Sequence, residues 1–438
     1  MKSEQNMGAT QTAVAYDVVI LGAGYAGVIA ALRLGRRKWG LRIALVNPRD
    51  EFLERVRIQE SIVAAVAPRI PSISAFFAGT NVEFICGNVT SLDADQRRVR
   101  ITTGTQEREI TFDEAIYALG SHVDVDNVPG VAEHAYRIDA GDGPRSAAAL
   151  RSKLQQNADR PMRVIAVGGG PLATEVAGEI KTTWPGAEVT MVSRRCGDFS
   201  GARVEKAVRA ELVKLGVRLM DGESVSEVRS TEVITKTGRS IPCDICVWSG
   251  GMRASPIARS AGLATDPQGR IWADPNLRSV SHAHILAVGD AAHPIAPTGA
   301  PYRLSALAAG ASGSHAANAI LARRANRSLD PFSFSTLAQA VSIGRSGVIY
   351  PLSRDDKQVL FIIKGRAARH LRDLFLMFVI YGFKLERRFP GSFFLPGQHR
   401  VSWQKANDAM HKAQSAQEGL SGIIVDRDFS APVPAIAN

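Results

Sequence analysis

Two stretches far apart in the chain repeat one grammar: apolar strand, glycine turn, helix, second strand. In the first, Tyr16–Leu21 (YDVVIL) runs into Gly22–Gly27 (GAGYAG), the helical VIAALRLGRR and the strand Leu41–Val46 (LRIALV). In the second, Arg163–Val167 (RVIAV) runs into Gly168–Ala173 (GGGPLA), a helix beginning TEVAGEI and the strand Glu188–Val192 (EVTMV). Each is a right-handed βαβ unit, with its turn at the carboxyl end of the first strand. A repeat of the whole unit predicts an α/β chain with two Rossmann-like domains and two dinucleotide sites.

Each glycine of the first turn has a mechanical reason. Gly22 allows the tight exit from the strand, Gly24 lets backbone approach a pyrophosphate, and Gly27 lets helix pack close on strand. The helix start, with Tyr25 and Ala26, then offers free N–H groups and a positive dipole end to phosphates. A lone G-x-G-x-x-G is a weak signal; its position between strand and helix gives it weight. The second strand should end in an acid to hold ribose hydroxyls, and here it ends Asn47-Pro48-Arg49. An amide can bond a ribose without charge assistance.

In the second turn Gly168 and Gly170 are followed by Pro171 and Leu172, and Ala173 stands in for the third glycine. Glu175 either caps the helix start or faces a nicotinamide amide. The strand after this helix ends Ser193-Arg194-Arg195. With no acid there for a free ribose hydroxyl, a hydroxyl and two guanidiniums suit a 2′-phosphate, so NADPH is expected over NADH. The other reading is a solvated loop.

The rest of the chain reads more coarsely. Val82–Val89, Arg98–Thr102 and Ile110–Leu119 are expected strands, with linkers at Asp142–Pro144 and Asn157–Pro161. Ile241–Trp248 (IPCDICVW) is a strand leading to Ser249–Gly251, and His284–Val288 ends in Gly289-Asp290. A carboxylate after a buried strand caps the next helix or binds the ribityl hydroxyls of a flavin; two dinucleotide units upstream favour the flavin. A helix over Arg303–Arg323 follows. The expected organisation is a loose tail (1–15), an FAD-binding domain split into 16–145 and 255–330 around an NAD(P)H-binding domain (146–254), and a C-terminal α+β region (331–438).

Composition narrows the classes. Four cysteines in 438 residues are too few and too scattered for a disulfide scaffold, which fits a reducing cytoplasm. Cys243 and Cys246 form a CxxC inside an expected strand, with no His or second CxxC nearby, and read as core residues. No Ser/His/Asp arrangement or metal cluster is found. Met1–Thr12 is polar and lacks the apolar core of a signal peptide. The net charge of +11 suits an anionic cofactor, membrane surface or nucleic acid. Residues 361–400 hold eight Lys/Arg against Asp373 and Glu386, a net +6. Within them Leu374–Phe383 (LFLMFVIYGF) carries no charge, preceded by Arg366, Arg369 and Arg372 and followed by Lys384, Arg387 and Arg388. It is too short to span a bilayer. Two readings stand: a helix lying in a membrane interface, or one buried in a core or dimer contact.

The ordered segments VVILGAGYAG, AIYALGS (Ala115–Ser121), VPGVAEHA (Val128–Ala135), VGGGPLATEVAGEI, CDICVWSGG and ILAVGDAA resemble the two-dinucleotide-binding-domain flavoproteins. Within them the chain is similar to type II NADH dehydrogenases and apoptosis-inducing-factor-like quinone oxidoreductases, without the redox disulfide of the wider superfamily, over Tyr16 to Gly397. The resemblance implies FAD on Gly22, Gly24 and Gly27, its ribose near Asn47 and Arg49, and Ala118 and Gly120 beside it. It implies Asp290 on the ribityl chain, and Ser305 and Ala306 by the flavin pyrimidine edge. It puts Gly168, Gly170 and Leu172 at the NADPH phosphates, Glu175 near the nicotinamide as the catalytic residue, and Gly251 in the same cleft. Many relatives carry a Gln in the helix after Gly-Asp, at the quinone pocket; RLSALAAGASG has none.

The expected activity is FAD-dependent oxidation of NADPH (NADH also fitting) with electrons passed to a small organic acceptor such as a quinone. The protein would be cytoplasmic or peripheral on the inner face of the membrane. A soluble flavoenzyme acting on one metabolite is the alternative. A non-enzymatic flavoprotein binding nucleic acid is a third class, against which stands the lack of an aromatic-and-basic recognition module.

Overall fold

The computed structural model describes residues 14–63, 72–139, 143–199, 201–296, 302–398, 408–413 and 415. Its first sheet is built from β1 (Val14–Leu21), β2 (Ile43–Asn47), β3 (Val82–Cys86), β4 (Asn88–Asp93), β5 (Arg98–Thr103) and β6 (Gln106–Tyr117). They run in the order β3-β2-β1-β6-β5-β4. β1 starts at Val14, inside the stretch expected to be a tail, because Val14 and Ala15 continue its parallel pairing with β6; the tail before residue 14 lies outside the described residues. Helix α1 (Tyr25–Leu34) crosses from β1 to β2, and α2 (Ile73–Phe77) precedes β3.

A short β7 (Ser121–Val123) leaves this sheet. After α3 (Val131–His134), the strand β8 (Ala135–Arg137) already belongs to the second sheet, ahead of the boundary drawn at 146. That sheet is completed by β9 (Arg163–Val167), β10 (Glu188–Val192), β11 (Arg218–Met220) and, later, Ile245–Trp248. All its pairings are parallel. Helices α4 (Ala147–Gln156), α5 (Pro171–Thr183) and α6 (Ala202–Leu215) cover one face. β12 (Val225–Val228), β13 (Glu232–Thr235) and β14 (Ser240–Pro242) form a small antiparallel sheet. The single strand expected over 241–248 thus breaks into β14 and β15 (Ile245–Trp248), each pairing in a different sheet.

The chain then returns. β16 (Met252–Ala254) pairs antiparallel with β7. After α7 (Ile257–Ser260) and β17 (Ile271–Ala273), β18 (Ile285–Ala287) rejoins the first sheet beside β6. β19 (Ala292–Pro294) pairs with β17, and α8 (Ala306–Arg324) packs on α1. A Cβ at Gly313 of α8 would lie 2.1 Å from the Ala26 oxygen, so the two helices meet backbone to backbone. The C-terminal region is α+β, as expected: an antiparallel sheet of β20 (Ala338–Ile343), β21 (Ser346–Pro351) and β22 (Ile363–Lys364), then the 23-residue α9 (Arg366–Arg388).

α9 places one stripe inward: Ala368, Arg372, Leu376, Val379, Phe383 and Glu386. Phe383 stacks edge-to-face on Phe52 and Phe76 at 5.0 and 5.8 Å. Glu386, fully buried, takes Arg33 of α1 in a two-pronged pair at 2.7 and 3.0 Å. The last helix is thereby bolted to the first.

Candidate active site

The glycine turns behave as their mechanics require. Gly22 has φ +101°, and a Cβ on it would lie 2.4 Å from the Ala118 oxygen. A Cβ at Gly27 would lie 1.9 Å from the Gly22 oxygen. Gly24 and Gly170, the N-caps of α1 and α5, have nothing within 4 Å of where a Cβ would stand, and neither helix start carries a side-chain cap. Two uncapped helix N-termini with open cradles are what a bound pyrophosphate needs.

A cavity of about 420 Å³ opens in front of the first turn. Of the residues expected at the flavin, Gly24, Tyr25, Ala26, Ala118, Gly120, Gly289, Asp290, Ser305 and Ala306 all line it. Asp290 is held by the Ser121 hydroxyl at 2.9 Å, and Ser305 caps α8 by accepting from the Ala308 N–H at 3.1 Å. Asn47 and Arg49 do not line it. The Asn47 carbonyl accepts from the Ala23 N–H at 3.0 Å and its amide donates to the Arg49 oxygen at 2.7 Å. Asn47 therefore organises the glycine turn itself.

Pro171, Leu172 and Glu175 reach the same cavity from the second fold. Glu175 does not cap its helix. Its Oε1 accepts from the Ser342 N–H (3.0 Å), the Ser342 hydroxyl (3.1 Å) and Arg372 Nη2 (3.0 Å). Burial pushes its carboxyl above the usual range, against the pull of Arg372 and Ser342. One turn on, Glu179 pairs with Arg369 at 2.9 Å, and Arg369 also reaches Glu60 at 3.3 Å. Arg369 and Arg372, read in the sequence as part of a basic flank, thus point into a buried carboxylate network.

A second cleft of about 670 Å³ lies along the carboxyl ends of β9, β10 and β15, lined by Gly168, Ser193, Arg194 and Gly251. Arg195 is not among its walls; its guanidinium pairs with Glu205 of α6. Charged residues absent from the sequence expectation also line it: Asp124, which pairs with Arg253, Lys236, and Glu223, which accepts from the Thr237 hydroxyl at 2.9 Å. An acid is available there after all, brought from beyond β11.

Sequence reading also missed Gln59, Arg55, Gln339 and Arg372 in the first cavity. Gln59, in the 3-10 segment Arg55–Ile62, is 1% exposed, and neither its amide nitrogen nor its oxygen has a partner among the described residues. Gln339 of β20 accepts from the Tyr350 hydroxyl at 2.7 Å and Arg303 at 3.0 Å. A glutamine is present in the cavity, from a strand rather than from α8. The open cradles, Asp290 and the unpartnered Gln59 amide all suit a flavin dinucleotide.

Cys243 and Cys246 are free and buried. Burial raises the Cys243 thiol to about 11 and Cys246 higher still, so neither is a thiolate nucleophile.

Residues 16–317 match the family model of the pyridine nucleotide-disulphide oxidoreductases, and the chain belongs to that family. It is 30% identical over 302 residues to an NADH dehydrogenase-like protein of Mycobacterium tuberculosis, covering 63% of this chain and 72% of that one. It is 25% identical over 353 residues to demethylphylloquinone reductase NdbB of Synechocystis, covering 76% and 85%. Among solved structures it matches the sulfide:quinone oxidoreductase of Aquifex aeolicus with a TM-score of 0.71 at 17% identity, covering 86% of this chain and 96% of that one. The expected resemblance and fold class are borne out, and the chain is an FAD-dependent NAD(P)H oxidoreductase.

Proposed function

We propose that the chain oxidises NADPH and reduces a quinone-type acceptor while resting on a membrane surface. One observation carries this reading: the cavity has three kinds of wall. The flavin fingerprint supplies one, the start of α5 with Glu175 the second, and the apolar Phe375, Leu376 and Val379 of α9 the third. A donor, a carrier and an apolar acceptor can meet there. The quinone reductase among its relatives supports the acceptor class.

FAD, which the Gly24–Ala26 turn and Asp290 would hold, would supply hydride acceptance and two-electron transfer when bound. The balance is NADPH + H⁺ + quinone → NADP⁺ + quinol, so one proton must come from outside the nucleotide. Glu175 is placed to hold it. Its Oε1 is occupied by Ser342 and Arg372, which leaves Oε2 for the cavity, and its raised proton affinity suits a donor. Ser193, Arg194 and Lys236 favour a 2′-phosphate; Glu223 opposes it, and Arg195 is neutralised by Glu205. The NADPH preference is therefore modest.

The outward face of α9 supports the membrane placement. Leu374, Phe378, Tyr381 and Leu385 are 48–64% exposed, on the face opposite the buried stripe. No helix among the described residues is long and apolar enough to cross a membrane. An amphipathic helix with cations at its edges lies in the headgroup plane.

Anaerobic stopped-flow mixing of the flavin-loaded protein with NADPH, and separately NADH, tests the first half. Flavin bleaching within milliseconds to seconds, then rapid recovery on adding a short-chain quinone, is expected. Bleaching without quinone-dependent recovery would remove quinone as the acceptor, and no bleaching would remove the nucleotide as donor.

A further inference from the structure

The membrane reading leaves one corner of the molecule unused. Where α1 ends, Arg36, Arg37 and Lys38 project beside the loop of Gly79 and Thr80, and Arg387 of α9 closes the far side. Together they line an open cleft of about 240 Å³. All four cations are exposed, and none is in a salt bridge among the described residues.

That contrasts with their neighbours. Arg33, one turn earlier, is matched to Glu386. Arg369 and Arg372, further up α9, are matched to Glu179 and Glu175. Cations with structural work in this region have a carboxylate; the cleft has cations and, among the described residues, no counter-charge. Arg387 is nevertheless held in place, donating to the Ala75 and Ala78 carbonyls at 3.0 and 3.1 Å. A guanidinium has five N–H donors, so donors remain for a tetrahedral anion.

What surrounds the cleft indicates the anion's source. Trp39 is 37% exposed, with the Lys38 ammonium 4.3 Å from its ring centre. At the end of α9, Leu385 and the C-cap residue Phe389 are exposed, with Lys384 just before them and Arg388 between them. Exposed indole, exposed aliphatic and aromatic groups, and unpaired cations at one end of a molecule are the composition of a headgroup-level surface.

We infer that the cleft of Arg36, Arg37, Lys38, Thr80 and Arg387 binds a phosphate group, that of an anionic phospholipid in the leaflet on which α9 lies. The inference rests on the membrane reading of α9 and deepens it. The apolar face of α9 gives insertion, and the cleft gives a preference among lipids. It also fixes the roll of the molecule about the α9 axis, because it stands to one side of the helix.

The test is co-sedimentation of the full flavin-loaded protein with vesicles of phosphatidylglycerol and phosphatidylcholine (30:70), against pure phosphatidylcholine. The wild type should partition at least about tenfold more strongly onto the anionic vesicles, since each basic residue near such a surface is worth roughly a fivefold factor. The triple variant Arg36→Gln/Arg37→Gln/Lys38→Gln should lose most of that preference and keep the wild type's binding to phosphatidylcholine. Its turnover with a soluble quinone and its thermal unfolding should be unchanged. A second variant, Phe378→Ser/Leu385→Ser, should lose binding to both vesicles. If the triple variant keeps the preference, the phosphate cleft is wrong and the membrane reading stands. If the wild type binds neither vesicle, both are wrong. Calorimetric titration with inorganic phosphate alone separates the remaining source: binding lost in the triple variant, without any vesicle preference, would make the cleft a site for free phosphate and overturn the lipid.

Discussion

Gln59 and Glu175 share one cavity and pose opposite questions. Gln59 is buried with both ends of its amide unpartnered among the described residues, and leaving such groups unmet costs about 1–3 kcal/mol. A fold tolerates that cost where a ligand later meets the amide. Gln59→Leu should therefore stabilise the cofactor-free protein by about 1–3 kcal/mol in denaturant unfolding, and weaken FAD retention or NADPH affinity about tenfold. No stabilisation and unchanged affinities would mean that the amide has no ligand to meet. Glu175 is met on one oxygen and desolvated on the whole. A donor must be protonated, and its protonated fraction falls as pH rises through its raised pKa. Acceptor reduction should slow on the alkaline side; Glu175→Gln should flatten that limb and leave flavin bleaching by NADPH nearly unchanged. A limb that survives the substitution would assign the proton elsewhere. The glycines of both turns were legible in the sequence because their constraint is local, a backbone that must turn or approach. Gln59 was not: nothing near it in EFLERVRIQE distinguishes a buried, waiting amide from a surface one.

At the scale of elements, the second βαβ unit was readable from strand to strand, but its ligand walls were not. Arg194 sits at the end of β10, where a 2′-phosphate reader belongs, whereas Glu223 and Lys236 come from beyond β11 and join it only in the folded cleft. Arg195, adjacent in sequence, is taken by Glu205. The local rule looks only at the strand's end and so counted two cations where the cleft has one from that loop. Arg194→Ala should lower kcat/KM for NADPH about tenfold, on the order of one charge-assisted bond, and leave NADH within about twofold. Glu223→Ala should move the ratio the other way, toward NADPH. Equal losses for both nucleotides in the Arg194 variant would show that this guanidinium holds something common to the two, such as the pyrophosphate. For α9 the missed signal did exist: Arg372 and Glu386 fall on the same helical stripe as Ala368, Leu376, Val379 and Phe383. A charge on a buried stripe must find a partner, and the partners, Glu175 and Arg33, are hundreds of residues away.

On the scale of the molecule α9 is a strap across both nucleotide folds. It holds the second through Arg369–Glu179 and Arg372–Glu175, and the first through Arg33–Glu386 and the rings around Phe383. The same helix walls the cavity and carries the proposed membrane face, so its seating decides both acceptor access and attachment. Removing one partner of a buried pair strands the other charge, which costs about 3–5 kcal/mol. Glu386→Ala should lose that much in denaturant unfolding of the flavin-loaded protein. The double variant Arg33→Met/Glu386→Leu should recover only part, because Glu386 also accepts from the Gly391 and Phe393 N–H groups at 2.9 and 2.8 Å, and those donors stay unmet. If the strap holds the cavity wall, the single variant should also raise the KM for a quinone more than that for NADPH, since Val379 and Leu376 stand about two and three turns before Glu386 on the same stripe. A loss of less than about 1 kcal/mol, with both KM values unmoved, would show α9 to be held by its apolar contacts alone.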